Sequence, residues 1–195
     1  MFPEAAQLFL PTSLLTAALG VRLFLACVFV LAARHKLHNR LEFEGIVTQY
    51  KLAPPSASAA LSLMIPLCEL SAAAALLLVP SVGAGIAAVL LFVYAGGMAL
   101  NLFRGRQHID CGCGGDATPL SSALVGRNLL MILLAALVGF AETSPLTSSE
   151  SGMDVATTVL ALAFAAGLGA VYISFNQLQV NAGIHRRLWL QERVG

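Results

Sequence analysis

The sequence predicts an all-α integral membrane protein, a helical bundle with about five transmembrane helices. The chain of 195 residues is 58% hydrophobic and only 11% charged, whereas soluble domains carry about 25% charged residues. Its apolar residues also fall into five segments, each close to the ~20 residues that a helix needs to cross the hydrocarbon core. A single membrane domain over residues 1–195 is therefore expected.

The N-terminal half predicts two spans joined by a surface segment. Residues 14–33 form an apolar run of the length of a spanning helix. Residues 34–55 are polar and amphipathic, so we expect them to lie on the membrane surface. Residues 56–79 form the second span, in which Pro66 predicts a kink.

The C-terminal half predicts three more spans. Residues 83–103 are rich in small side chains, which allow close contact between helices. A polar loop at 104–118 leads into the fourth span, 119–141, and a fifth span covers 154–174. Thr118 and the proline after it predict the start of the fourth helix, with Thr as N-cap and Pro as the first helical residue.

The positions of lysine and arginine predict the orientation of this bundle. With five spans, every such residue outside the spans falls on one side, which the positive-inside rule assigns to the cytoplasm. In a bacterial inner membrane the N-terminus would then be periplasmic, and the 104–118 loop and the C-terminus cytoplasmic. These residues are Arg34, Lys36, Arg40, Lys51, Arg104, Arg106, Arg186, Arg187 and Arg193.

The 104–118 loop carries two cysteines, Cys111 and Cys113, separated by one glycine. Nearby cations and a helix N-terminus both stabilise a thiolate. A disulfide across so small a ring would be strained and therefore oxidising, and paired thiolates also suit a soft metal ion. We predict a redox dithiol, with His108 as a proton acceptor or ligand beside it, and no resident cofactor or metal.

The other two cysteines, Cys27 and Cys68, lie within the first and second spans. Counted from the charged side at about 1.5 Å per residue, they lie roughly 9 Å and 18 Å deep. With the loop dithiol they form a series of thiols, which suits electrons or a soft metal ion moving by exchange. The alternative is that each is a small buried hydrophobic residue.

Glu69 places a carboxylate inside a span, where such groups face the protein interior, have a partner and are functional candidates. Arg22 lies at a similar predicted depth and is the expected partner, so a purely structural ion pair is the alternative. Arg127 lies near the predicted level of Cys27. If the two are adjacent, Arg127 would lower the pKa of that thiol.

The loop and the span pattern together resemble the MauE family of methylamine utilisation proteins, part of the DoxX-like group. The similarity covers roughly residues 14–141, and the stretch from Lys36 to Pro54 ahead of Glu69 also resembles the DoxX-like pattern. It implies a four-helix core, with the fifth span and the tail as additions. The matching loop residues are Ile109, Asp110, Cys111, Gly112, Cys113, Gly114 and Gly115.

This resemblance implies a role in the maturation of methylamine dehydrogenase, whose exported small β subunit is dense in disulfides. The implied partners are that β subunit and a periplasmic thioredoxin-like protein, MauD. The mechanism it suggests begins with a cytoplasmic thiol donor that reduces the loop dithiol. Electrons would then pass through Cys27 and Cys68 to the periplasmic partner.

Three other functions are compatible with the same residues. A soft-metal permease, for instance for mercuric ion, would also pair intramembrane thiols with a cytoplasmic dithiol, but no periplasmic cysteine pair is present to receive the metal. A quinone-linked thiol oxidase of the DsbB or vitamin K epoxide reductase kind would need the loop on the side opposite to that predicted. A non-catalytic assembly factor would make the cysteines incidental. The residues alone do not decide the direction of electron flow.

Overall fold

In the computed structural model, the described residues are 4–113, 118–143 and 154–194, with side chains from 13 to 184 within these ranges. They contain five helices long and apolar enough to cross a membrane, and one shorter helix. The predicted all-α membrane fold is thereby confirmed. The helices are α1 (Glu4–His38), α2 (Arg40–Tyr50), α3 (Pro55–Leu78), α4 (Pro80–Phe103), α5 (Ser122–Thr143) and α6 (Val155–Val194).

Some predicted features lie outside the described residues. These are the glycines at 114 and 115, most of the 142–153 loop, and the side chains of the arginines at 186, 187 and 193.

Four of the helices close a ring. α1 packs on α3, α3 on α4, α4 on α5, and α5 returns to α1. α6 packs on α1 outside this ring and leaves most of its surface exposed. Helices in lipid associate through close packing rather than through exclusion of water, and the centre of the ring accordingly mixes large side chains with many alanines. Its fully buried members include Leu25, Phe29, Ala72, Leu76, Ala87, Ala135 and Val138.

α2 is the amphipathic segment that the sequence places at the surface. Leu41 on its outer side is exposed and Phe43 on its inner side is buried. The Arg40 guanidinium donates hydrogen bonds to Ser62 Oγ (3.5 Å) and to the carbonyl of Ala59 (3.4 Å), both on α3. α2 therefore lies against the N-terminal half of α3 and covers one end of the ring.

The first helix extends beyond its predicted end at residue 33 and continues to His38. Lys36 is consequently inside the helix, and it is buried. A lysine normally ends an apolar span. Here a carboxylate on α3 compensates the charge of Lys36, so this residue can be buried within the last turns of α1.

The predicted start of the fourth span at Thr118 was wrong. α5 begins at Ser122, and the Ser121 hydroxyl accepts a hydrogen bond from the Leu124 N–H (3.3 Å), as an N-cap does. Pro119 instead forms an isolated antiparallel bridge with Asp110. This pairing holds the backbone extended and overrides the local preference of proline for the first turn of a helix.

The connection between α3 and α4 is a single residue, Val79. It brings the end of α3 so close to the first turn of α4 that a Cβ atom on Gly83 would lie 2.2 Å from the backbone nitrogen of Leu76. Only glycine fits at this position, whereas a Cβ atom on Gly85 would have no neighbour within 4 Å.

We expect Gly83→Ala to destabilise the protein by about 1–3 kcal/mol, because the added methyl group must push two backbones apart. The matched variant Gly85→Ala should be neutral or should stabilise by up to about 1 kcal/mol through helix propensity. Thermal unfolding of both purified proteins in detergent measures the difference. Equal unfolding temperatures would contradict the close packing of this turn.

Candidate functional site

The Cys-Gly-Cys loop is held by one carboxylate, that of Asp110. One of its oxygens accepts a hydrogen bond from the Gly112 N–H (2.7 Å), and the other accepts one from the Thr118 N–H (2.8 Å). The Cys111 N–H donates to the Thr118 carbonyl (3.0 Å), beside the bridge between Asp110 and Pro119. Burial raises the pKa of Asp110, while the two backbone N–H groups act in the opposite direction. These contacts join the segment at Asp110 and Cys111 to the segment at Thr118 and Pro119, and so close the loop around the dithiol.

α2 packs directly on this loop. Gly112 has a positive φ of 67°, and a Cβ atom there would lie 3.2 Å from Ile46 and 3.3 Å from Phe43. The Tyr50 hydroxyl donates a hydrogen bond to the Cys111 carbonyl (3.1 Å). Burial and the neighbouring sulfurs raise the pKa of Tyr50, so it stays a neutral donor. The positive φ therefore favours glycine between the two cysteines, and a Cβ atom there would press on two side chains of α2.

The two loop sulfurs are free thiols with different environments. The Cys113 N–H donates to Cys111 Sγ (3.2 Å), and Arg127 Nη2 donates to Cys113 Sγ (3.2 Å). The hydrogen bond from the Cys111 thiol and the charge of Arg127 lower the pKa of Cys113 to about 6, despite its burial. The same hydrogen bond, together with burial, raises the pKa of Cys111. Cys113 is therefore the thiolate of the pair at neutral pH.

Arg127 is positioned by α6. Its guanidinium donates to Asn176 Oδ1 and lies 5.2 Å from the centre of the Tyr172 ring. The sequence places Arg127 near the level of Cys27, whereas the sulfur that its guanidinium contacts is that of Cys113. Cys27 is exposed on α1, whereas the loop folds back over the first turns of α5 and brings Cys113 to the guanidinium.

A buried ion pair joins Lys36 of α1 to Glu69 of α3, with side chains 3% and 1% exposed. The Tyr94 hydroxyl on α4 donates to the same oxygen of Glu69 (2.7 Å), so one carboxylate links three helices. The expected pair between Arg22 and Glu69 was wrong. Arg22 donates instead to Glu142 (3.3 Å), at the opposite end of the bundle. The reason is the extended α1, which brings a second cation to the level of Glu69.

A cavity of about 440 Å³ connects the dithiol with this ion pair. Its wall is mostly apolar and comes from α1 to α5, with Tyr172 of α6. Three buried polar atoms in this wall, Glu69 Oε2, Arg127 Nε and Asn128 Nδ2, have no hydrogen-bond partner among the described residues. The other polar side chains that line it are Lys36, Tyr50, Tyr94, Tyr172, Cys68, Cys111 and Cys113.

The remaining predicted residues are distributed unevenly around this cavity. Cys68 lines it, next to Glu69, whereas Cys27 does not. Cys27 is nine residues before Lys36, roughly 13 Å along α1, so its role stays a prediction. His108 is exposed on the loop. Among the described residues, no group of three or more His, Cys, Asp or Glu side chains could hold a metal ion.

Sequence reasoning missed the contributions of Asp110, Tyr50 and Tyr94. The last of these could have been found, because a tyrosine within an apolar span is a polar group that needs a partner in lipid. Asp110 and Tyr50 lie in polar segments. Nothing in the local sequence there distinguishes a residue that holds the loop by hydrogen bonds from an ordinary surface residue.

Comparison with known proteins finds one family model, "Methylamine utilisation protein MauE", which matches residues 13–141. The MauE of Paracoccus denitrificans is 37% identical over 157 residues, which are 76% of this chain and 84% of the relative. The MauE of Methylophilus methylotrophus is 36% identical over 162 residues, or 82% and 84% of the two chains. That of Paracoccus versutus is 39% identical over 146 residues, or 73% and 77%. No solved structure matches significantly.

We expect alkylation of Cys113 to fall as the pH drops through about 6, because only the thiolate reacts. Iodoacetamide labelling at a series of pH values, read by peptide mass spectrometry in a Cys27→Ala, Cys68→Ala background, measures the midpoint. Arg127→Gln removes the adjacent positive charge and should raise the midpoint by roughly one to three units. Arg104→Gln removes the same charge from an exposed position and should leave the midpoint unchanged. Equal midpoints in the two variants would show that Arg127 does not stabilise the thiolate.

Proposed function

Because the chain belongs to the MauE family of methylamine utilisation proteins, we propose that it is a membrane thiol–disulfide redox factor in the maturation of methylamine dehydrogenase. The five apolar helices and the family together make it a multi-pass membrane protein. The observation that carries the proposal is the contact of Arg127 with one sulfur of a dithiol, which separates the two thiols into unequal roles.

Cys113 is the attacking thiol in this proposal. As a thiolate it attacks one sulfur of a disulfide in the partner, and a mixed disulfide forms while the other partner sulfur leaves as a thiol. Cys111, which keeps its proton longer, then attacks Cys113. This step releases the second partner thiol and leaves a disulfide between Cys111 and Cys113. In the opposite direction, that disulfide oxidises a partner dithiol by the same two steps.

The family suggests the partners. We propose exchange with a thioredoxin-like protein of the MauD kind, which acts on the β subunit of methylamine dehydrogenase, and with a thiol protein on the side that the loop faces. Cys68 lines the cavity with the dithiol, which supports it as a third thiol of the site. Cys27, which faces outward from α1, receives no such support.

The orientation in a bacterial inner membrane is also a proposal. Lys36 no longer counts as a loop charge, because Glu69 neutralises it. The exposed cations Arg40, Lys51 and Arg104 still lie at the end of the bundle that carries the dithiol, and they favour the cytoplasmic side for it.

Labelling of single cysteines tests this orientation in a variant whose four native cysteines are replaced by alanine. Gln107→Cys, exposed in the loop, should react with a membrane-impermeant maleimide only after the cells are permeabilised. Val82→Cys, exposed at the opposite end, should react in intact cells. The reverse pattern would overturn the orientation and place the dithiol in direct reach of exported partners.

We expect Cys111→Ser to accumulate a mixed disulfide with the partner, because Cys113 still attacks but nothing resolves the product. The matched variant Cys113→Ser removes the same atom from the other position and should trap little or none. Non-reducing gels and mass spectrometry of the membrane fraction measure the adduct. The double variant should lose most of the methylamine dehydrogenase activity in cells that depend on this chain, by roughly tenfold or more. Full maturation in the double variant would refute the proposed function.

A further inference from the structure

The cavity between the dithiol and the ion pair is too large to be a packing defect. Protein interiors hold few voids larger than a water molecule, whereas ligand sites typically enclose about 300–1,000 Å³. At about 440 Å³ this cavity has the size of a ligand site. Its largely apolar wall favours a ligand with a flat or hydrocarbon surface.

The cavity is open on the side of the lipid. Met64 on α3 and Val93 on α4 both line it, and they are 54% and 58% exposed. Both lie in spans, where exposed side chains face the hydrocarbon core. A ligand can therefore enter from the bilayer between α3 and α4, and an attached hydrocarbon tail can remain in the lipid.

The polar atoms of the wall specify the ligand further. Asn128 Nδ2 is a buried donor and Glu69 Oε2 a buried acceptor, and neither has a partner among the described residues. Buried polar groups without partners are costly, so a ligand that binds both is favoured. A quinone carbonyl accepts a hydrogen bond from the amide, and the hydroxyl group that forms on reduction donates one to the carboxylate. The nearby cations Lys36 and Arg127 stabilise negative charge that develops on the ring oxygens.

We propose that this cavity binds the head group of a lipid-soluble quinone, and that the quinone oxidises the dithiol of Cys111 and Cys113. Both cysteines line the cavity, so the ring and the sulfurs share one space. The sulfur–sulfur bond forms as two electrons pass from the Cys113 thiolate and the Cys111 thiol to the quinone. The quinone takes up one proton from the Cys111 thiol and one from the solvent, which gives a disulfide and a quinol. The disulfide then oxidises a partner dithiol, so this inference rests on the proposed thiol–disulfide function.

Quinone access does not depend on the side that the loop faces. A quinone diffuses within the bilayer and enters through the lipid-facing gap between α3 and α4. The orientation of the loop therefore determines which thiol protein is oxidised. The electron acceptor is the quinone in either orientation.

A pair of tryptophan variants one helical turn apart tests the site. Val93→Trp places a large ring in the mouth of the cavity. Val89→Trp places the same ring at a position that is 63% exposed and does not line the cavity. The probe is decylubiquinone, whose ring carbons are all substituted, so that thiols cannot add to it. Purified full-length protein in detergent is reduced, freed of reductant without oxygen, and mixed with the probe.

We expect about one quinol per protein, with the rate lowered roughly tenfold or more by Val93→Trp and unchanged by Val89→Trp. Calorimetric titration with the same quinone should show saturable binding that Val93→Trp weakens by a similar factor. The absence of both quinol formation and saturable binding would overturn the inference, as would equal behaviour of the two tryptophan variants.

A separate assay keeps this result distinct from the proposed function. Oxidised protein, with the disulfide between Cys111 and Cys113 already formed, is mixed with reduced thioredoxin in the absence of quinone. Exchange in this assay without quinone reduction in the other would leave the proposed function standing and refute the quinone site. Quinol formation without exchange would refute the proposed thiol exchange, while it would support the cavity as a quinone site.

Discussion

The ion pair between Lys36 and Glu69 is the constraint on which the rest of the structure depends. Charges inside a membrane bundle must be paired, because removal of one partner leaves the other buried without compensation. This pair brings α1 against α3, and Tyr94 adds α4 through the same carboxylate. Lys36 also lies beneath the ring of Phe43 of α2, 5.4 Å from its centre. The position of the covering helix and the shape of the cavity both follow from this arrangement.

The dithiol lies across the cavity from this ion pair, on a loop that packs on the same helices. Asp110 joins the two arms of the loop, and Tyr50 of α2 holds the Cys111 carbonyl. Neither interaction touches a sulfur atom, yet together they aim both sulfurs into the bundle, where Arg127 can reach one of them. The unequal chemistry of Cys111 and Cys113 is thus a property of the surrounding helices rather than of the Cys-Gly-Cys motif.

α6 has a larger role than its position outside the ring suggests. The family model ends at residue 141, before this helix begins. Asn176 and Tyr172 of α6 nevertheless hold the guanidinium that contacts Cys113. The fifth span is therefore part of the site, and the expectation that it is an addition to a four-helix core describes its packing rather than its chemistry.

The sequence by itself determined the five spans, the surface helix, the dithiol and the need of Glu69 for a buried cation. These follow from the length of apolar runs and from the rule that polar groups in lipid must find partners. Tertiary structure alone decided which partners are used: Lys36 rather than Arg22 for Glu69, and Cys113 rather than Cys27 for Arg127. Such choices depend on the axial register and rotation of each helix. An error of a few residues in a predicted helix end moves a side chain by about 1.5 Å per residue along the axis and turns it to another face. Only the packing of the whole bundle sets the axial register and the rotation of each helix.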